Sequence, residues 1–178
     1  MELQEAVDLI RDAVGESKGV WADLGAGTGT FTLALAELLG GGSTIYAVDD
    51  DADAVRALGE LTPAGDTRVV PVKADFQRPL ELPGLDRTPL DGILLANSLH
   101  FVRDATGVLT QLVRSVRPGG RVVVVEYDRR LASPWVPHPI RAARWPTLAE
   151  ACGLIDATIT ATRPSMYSGI LYVGAATR

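Results

Sequence analysis

Residues 22–31 read "ADLGAGTGTF", with Gly25, Gly27 and Gly29 alternating inside five residues and Asp23 just ahead of them. The apolar run before them, "GVWADLG", reads as a short strand, and "TFTLALAELLGGG" after them as a helix stopped by glycine. The glycines therefore occupy a strand-to-helix turn. A plain turn rarely needs three alternating glycines. Glycine lets the backbone bend tightly and lets a ligand come close to its amides, and the helix N-terminus beyond it favours negative charge.

Working outward, the same alternation continues. An amphipathic helix, carried by Leu3, Ala6, Val7, Ile10, Ala13 and Val14 and ended at Gly15, precedes the turn. After it come a strand "STIYAVD", a helix "DADAVRALGEL", a strand "TRVVPVKAD", a proline-rich connector "PLELPGLDRTP" and a strand "LDGILLANS". Then follow a helix "DATGVLTQLVRSV", a turn "RPGG" and a strand "RVVVVEY". Near-continuous apolar strands alternating with helices predict a parallel sheet covered on both faces. Past Tyr127 the pattern breaks into a stretch rich in proline, tryptophan and arginine, then a short helix "TLAEACG". Two last strands, "ATITATR" and "GILYVGAAT", are joined by "PSMYS", too short for a crossover helix, so they should pair antiparallel.

The 178 residues suit a single domain over 1–178 with a full core. No apolar run reaches the roughly 20 residues of a membrane span, and the acidic, periodic start lacks the pattern of a signal peptide. One cysteine, Cys152, cannot form an internal disulfide, and no spacing suggests a metal site. A cytoplasmic protein is the simplest reading. A net charge of −5 argues mildly against broad nucleic-acid binding.

The spacing G-x-G-x-G differs from the dinucleotide fingerprint G-x-G-x-x-G, and Thr30 stands where its third glycine would be. Asp23 would repel a pyrophosphate but welcome an ammonium group. Asp49 closes the second strand, where a carboxylate can bond ribose hydroxyls. The pair points to an adenosine ligand carrying an amino group.

These features resemble the class I S-adenosylmethionine-dependent methyltransferases of the small-molecule type. "DLGAGTGTF" looks like the family's glycine-rich motif, "YAVDD" its second-strand acidic motif and "KADF" its adenine segment; "LDGILLANSLHFV" and "VRPGGRVVVVEY" look like its fourth- and fifth-strand motifs. The resemblance implies a doubly wound, Rossmann-like α/β sheet of seven strands in the order 3-2-1-4-5-7-6, mostly parallel with an antiparallel last strand. It implies S-adenosylmethionine as cofactor. Gly25, Ala26 and Gly27 would cradle its methionine part, and Asp23 would support that loop and, through water, the amino group. Asp49 would take the ribose. Asp50 would border the adenine or cap the next helix, Asp75 would accept from the adenine amino group with Phe76 beside the ring, and Asn97 would close the site.

The acceptor is narrowed by comparison with the family's other motifs. "NSLH" lacks the Asn/Asp-Pro-Pro-aromatic motif of nucleic-acid amino methylation, and the two lysines of the chain do not suit ribose methylation. Ala96 and Asn97 stand where the metal-dependent catechol type needs a carboxylate. "NSLHFV" instead looks like the stretch of small-molecule enzymes. His100 is a candidate base, since its proton equilibrium lies near neutrality, or a residue that packs the loop; His138 and Tyr127 are further candidates. Residues 128–146 read as a substrate lid, with Trp135 and Trp145 for apolar contact and Arg129, Arg130, Arg141 and Arg144 for an anionic group, or as a packed loop or dimer contact. The sequence leaves open a homodimer that completes the acceptor site. Two rival readings are a nucleotide-dependent oxidoreductase and a non-catalytic sensor or partner subunit that binds the same ligand.

Overall fold

Alternate residues of the central strands are buried on opposite sides. Ala22, Leu24, Tyr46, Val48, Ile93, Leu95, Val122 and Val124 join one apolar cluster, while Trp21, Ile45, Leu94, Val123 and Val125 join a second. A strand buried on both faces has no polar side to alternate, which explains the unbroken apolar runs. The computed structural model describes residues 1–15, 18–63, 65–85, 88–129, 131–165 and 169–178. The strands are β1 (Val20–Leu24), β2 (Thr44–Asp49), β3 (Arg68–Lys73), β4 (Leu90–Ala96), β5 (Val116–Asp128), β6 (Ile155–Pro164) and β7 (Ile170–Thr177). They form one seven-stranded sheet in the order β3-β2-β1-β4-β5-β7-β6. Only β7 runs against its neighbours, β5 and β6, so the expected fold and the antiparallel pairing of the last two strands are both found.

Helices α1 (Leu3–Val14) and α2 (Thr30–Leu39) cover one face, through Ile10, Ala13, Leu35 and Leu39. Helices α4 (Ala105–Val113) and α5 (Trp145–Ala151) cover the other through Leu109, Leu112, Trp145 and Leu148. Helix α3 (Ala52–Gly59) lies between β2 and β3 in sequence. Its N-cap is Asp51, which accepts from the amides of Asp53 and Ala54, both at 2.8 Å. Asp50 is thereby released from the capping role.

Three local readings change. The "RPGG" turn lies inside β5: Val116 pairs with Leu90 and Arg121 with Gly92, so residues 117–120 are looped out of the ladder. That bulge is held because Gly119 N donates to Arg178 O and Arg178 N to Gly120 O. The late helix begins at Trp145, two residues earlier than expected, with proline in its first turn. Trp145 itself is fully buried, and its Nε1 donates to Ala175 O at 3.3 Å. It belongs to the core and not to a lid. Gly174 on β7 makes this seating feasible, because a Cβ there would lie 2.8 Å from the indole. Gly92 does the same for Trp21 on the opposite cluster, where a Cβ would lie 2.6 Å from the ring. The turn residues 166–168 lie outside the described residues. No helix among the described residues is long and apolar enough to cross a membrane.

Candidate functional site

Strand order reverses at β1, which pairs with β2 on one side and β4 on the other. In open α/β sheets the crevice beyond the strand ends at this point is where ligands bind. The glycine loop lies across it. The amides of Gly25 and Ala26 both donate to Val48 O, at 2.9 and 3.0 Å. Gly27 N donates to Asp49 Oδ2 at 2.8 Å, and Asp51 N to Asp49 Oδ1 at 3.0 Å. Asp49 therefore ties the loop to the end of β2. Gly25 has a left-handed φ of 77°, and a Cβ there would lie 2.5 Å from that of Ser98. Conformation and space both demand glycine at this position. Ser98 meets the same region by donating to Leu24 O at 2.6 Å.

Asp23 sits under the loop and is fully buried. Its Oδ2 accepts from Thr32 Oγ1 at 2.6 Å, while Oδ1 has no partner among the described residues. Burial pushes its pKa up to about 7, opposed by the Thr32 hydrogen bond and assisted by the charge of Asp49. Asp23 lines none of the cavities described below; it acts from beneath the loop.

Three cavities meet at the strand ends. The first, about 500 Å³, is bordered by Gly25, Gly27, Asp49, Asp50, Asp75 and Phe76. The second, about 370 Å³, lies on the other side of the loop against Ala26, Thr28, Ala96 and Tyr127. The third, about 820 Å³, is bordered by His100, Phe101, Tyr127, Arg129, Trp135 and Val136. Asn97 borders all three. It holds a left-handed φ of 56°, which asparagine tolerates better than most residues. Its amide donates to Val125 O at 2.8 Å, and its side-chain Oδ1 is buried with no described partner.

Beside the third cavity lies a buried pair that the sequence did not reveal. Glu126, wholly inaccessible, receives the backbone amide of His100 on Oε1 at 3.1 Å and faces His100 Nδ1 with Oε2 at 2.5 Å. The two residues are brought together by β5 and by the short 3₁₀ turn Leu99–Phe101. A carboxylate on Nδ1 fixes the tautomer that leaves Nε2 able to accept a proton. The available signal was an acidic residue closing a four-valine run, a costly choice inside a sheet unless it is partnered.

Other candidates are dispersed. His138 donates its backbone amide to His100 O at 3.0 Å, but its side chain borders a different cavity with Arg103 and Arg144. It does not border the third cavity. Arg141 pairs with Asp128 at 3.7 Å. Of the expected lid, Arg129 and Trp135 reach the third cavity, Trp135 being 81% exposed. Arg130 lies outside the described residues.

The residues fit S-adenosylmethionine. Asp49, Asp75 and Phe76 border one cavity beside the glycine loop, a pair of carboxylates and an aromatic ring of the kind a nucleoside needs. Gly27, whose absent Cβ would meet nothing within 4 Å, leaves the loop open to a methionine chain. The orphaned Asn97 Oδ1 is a spare acceptor for an ammonium group.

Comparisons with known proteins place the chain among methyltransferases. A demethylmenaquinone methyltransferase of Clavibacter sepedonicus is 35% identical over 106 residues, which cover 60% of this chain and 40% of that protein. The chain spans about two fifths of the length of the curated relatives it matches. Among solved structures, a SAM-dependent methyltransferase from Leishmania major superposes with a TM-score of 0.73 at 17% identity, covering 98% of this chain and 71% of that one. One from Aquifex aeolicus gives 0.66 at 18% identity, covering 98% and 95%. These structural likenesses concern the fold. The family model described as "Methyltransferase domain" matches residues 22–122, from the glycine loop through the start of β5's valine run. That match covers the glycine loop and β2 to β4 and more than half of the chain, and the chain belongs to the methyltransferase domain family.

Proposed function

We propose that this protein transfers a methyl group from S-adenosylmethionine to a small-molecule acceptor. The observation that carries the reading is Asn97, which borders the acidic cavity, the glycine-loop cavity and the aromatic cavity at once. In this reading Asp49 and Asp75 hold the nucleoside, Gly25, Ala26, Gly27 and Asn97 hold the methionine part, and the third cavity takes the acceptor. When bound, S-adenosylmethionine supplies an electrophilic methyl group on a sulfonium. The chain's residues align the acceptor with it, and alignment with exclusion of water accounts for much of the rate. His100 accepts the acceptor's proton on Nε2, and Glu126 holds the ring and balances the charge that develops. Trp135 covers the cavity mouth. Relatives named for demethylmenaquinone support an acceptor of small-molecule class. The same proposal places the enzyme in the cytoplasm, without nucleic-acid substrates; a homodimer would show as a doubled mass in light scattering.

Calorimetric titration tests the cofactor. S-adenosylhomocysteine should bind and NAD should not; the reverse pattern would overturn the proposal. His100→Gln should lower turnover by roughly 10²–10⁴-fold with cofactor affinity retained, the range typical of a general base. Glu126→Gln should shift the pH profile of turnover rather than abolish binding. Full activity in His100→Gln would leave alignment alone as the source of catalysis.

A further inference from the structure

We infer that the acceptor is a flat aromatic acid bearing a ring hydroxyl, with its carboxylate on Arg129 and its hydroxyl against His100. The inference rests on the methyl-transfer reading and adds the acceptor's chemistry to it. Three features of the third cavity carry it.

The first is shape. Phe101 and Trp135, large aromatic side chains that the fold leaves exposed, border the cavity together with Tyr127. Flat apolar walls favour a ring over a flexible chain. At about 820 Å³ the space suits one or two rings.

The second is charge. Arg129 is only partly exposed, borders this cavity, and forms no ion pair with a described residue. The carboxylate next to it in sequence, Asp128, is already engaged by Arg141 at 3.7 Å. Among the described residues, this positive charge at an apolar cavity has no counter-ion. A guanidinium presents a planar fork that matches a carboxylate. The same charge disfavours a cationic acceptor.

The third is the proton. Glu126 occupies Nδ1 of His100, leaving Nε2 for the cavity. A phenol, whose pKa is about 10, gives up its proton far more readily than an aliphatic alcohol does. In the step, the phenolic oxygen forms a bond to the methyl carbon while its proton passes to His100 Nε2. The carbon–sulfur bond breaks and its electron pair stays on sulfur, so the products are an aryl methyl ether and the neutral thioether S-adenosylhomocysteine.

The test is calorimetry on the protein saturated with S-adenosylhomocysteine, using the three hydroxybenzoate isomers, phenol and tyramine as probes. At least one isomer should bind about tenfold or more tightly than phenol, as one charge-assisted fork implies, and tyramine more weakly than phenol. Arg129→Gln should erase that preference without altering the affinity for S-adenosylhomocysteine, and Arg129→Lys should restore part of it. Binding should also shift tryptophan emission through Trp135, since Trp21 and Trp145 are both buried. If no isomer surpasses phenol in the wild-type protein, or if Arg129→Gln keeps the preference, the inference falls while the methyl-transfer reading stands. Failure of the wild type to bind S-adenosylhomocysteine would overturn both.

Discussion

At the scale of single residues, Asp49 and Asp23 do opposite things with the same functional group. Asp49 uses both carboxylate oxygens on backbone amides, one of them the loop's Gly27. Asp49→Ala should therefore weaken S-adenosylhomocysteine binding twice over, by losing ribose acceptors worth roughly 1.5–3 kcal/mol each and by loosening the loop. Calorimetry beside a thermal melt checks this; unchanged affinity in a folded variant would show the ribose to be elsewhere. Asp23 carries a proton cost. Its folded pKa of about 7 lies above the roughly 3.9 of an unfolded aspartate. The native state thus binds more protons between these values, so its contribution is fully present below pH ~4 and is lost as pH rises to ~7. Asp23→Asn should flatten that slope, gaining on the wild type by as much as ~4 kcal/mol across the window. Parallel urea midpoints at pH 5 and pH 8 would reveal it, and parallel slopes in both proteins would refute it. The glycines and Asp49 were legible because a local spacing carries them. Glu126 was not, because its partner lies 26 residues away and only the register of β4 and β5 joins them.

At the scale of elements, the segment after β5 divides into two parts that look alike in sequence. Trp135 and Trp145 both sit among prolines and arginines, and nothing local distinguishes an exposed indole from one seated on a sheet. What separates them is Gly174, some 30 residues beyond Trp145, which hollows β7 to receive it. Trp145→Ala should cost roughly 3–5 kcal/mol of stability, as large aromatic-to-alanine changes in cores do. Trp135→Ala should leave the melting point near wild type and act on the acceptor's KM or on turnover. Equal losses in the two variants would contradict the division. Gly174→Ala should cost roughly 1–3 kcal/mol by forcing the indole aside, a change that the same melts would record.

At the scale of the whole molecule, the parallel sheet was legible because each layer repeats one rule, apolar strand, turn, covering helix, while the strand order was implied by the family resemblance and is not written in the periodicity. The two exceptions, the proline-rich connector before β4 and the antiparallel return of β6 and β7, announce themselves by proline and by loop length. The strand ends, by contrast, depend on pairings such as that of residues 119 and 120 with Arg178, which no local pattern encodes. One further consequence follows from the docking of α5. Cys152, the chain's single thiol, is buried at the end of that helix, and its Sγ lies 3.6 Å from Thr106 O on α4. Burial raises its pKa, so in the closed protein it is inert. Alkylation by a thiol reagent must then wait for α5 to lift, and its rate reports the frequency of that opening rather than any event in the cleft.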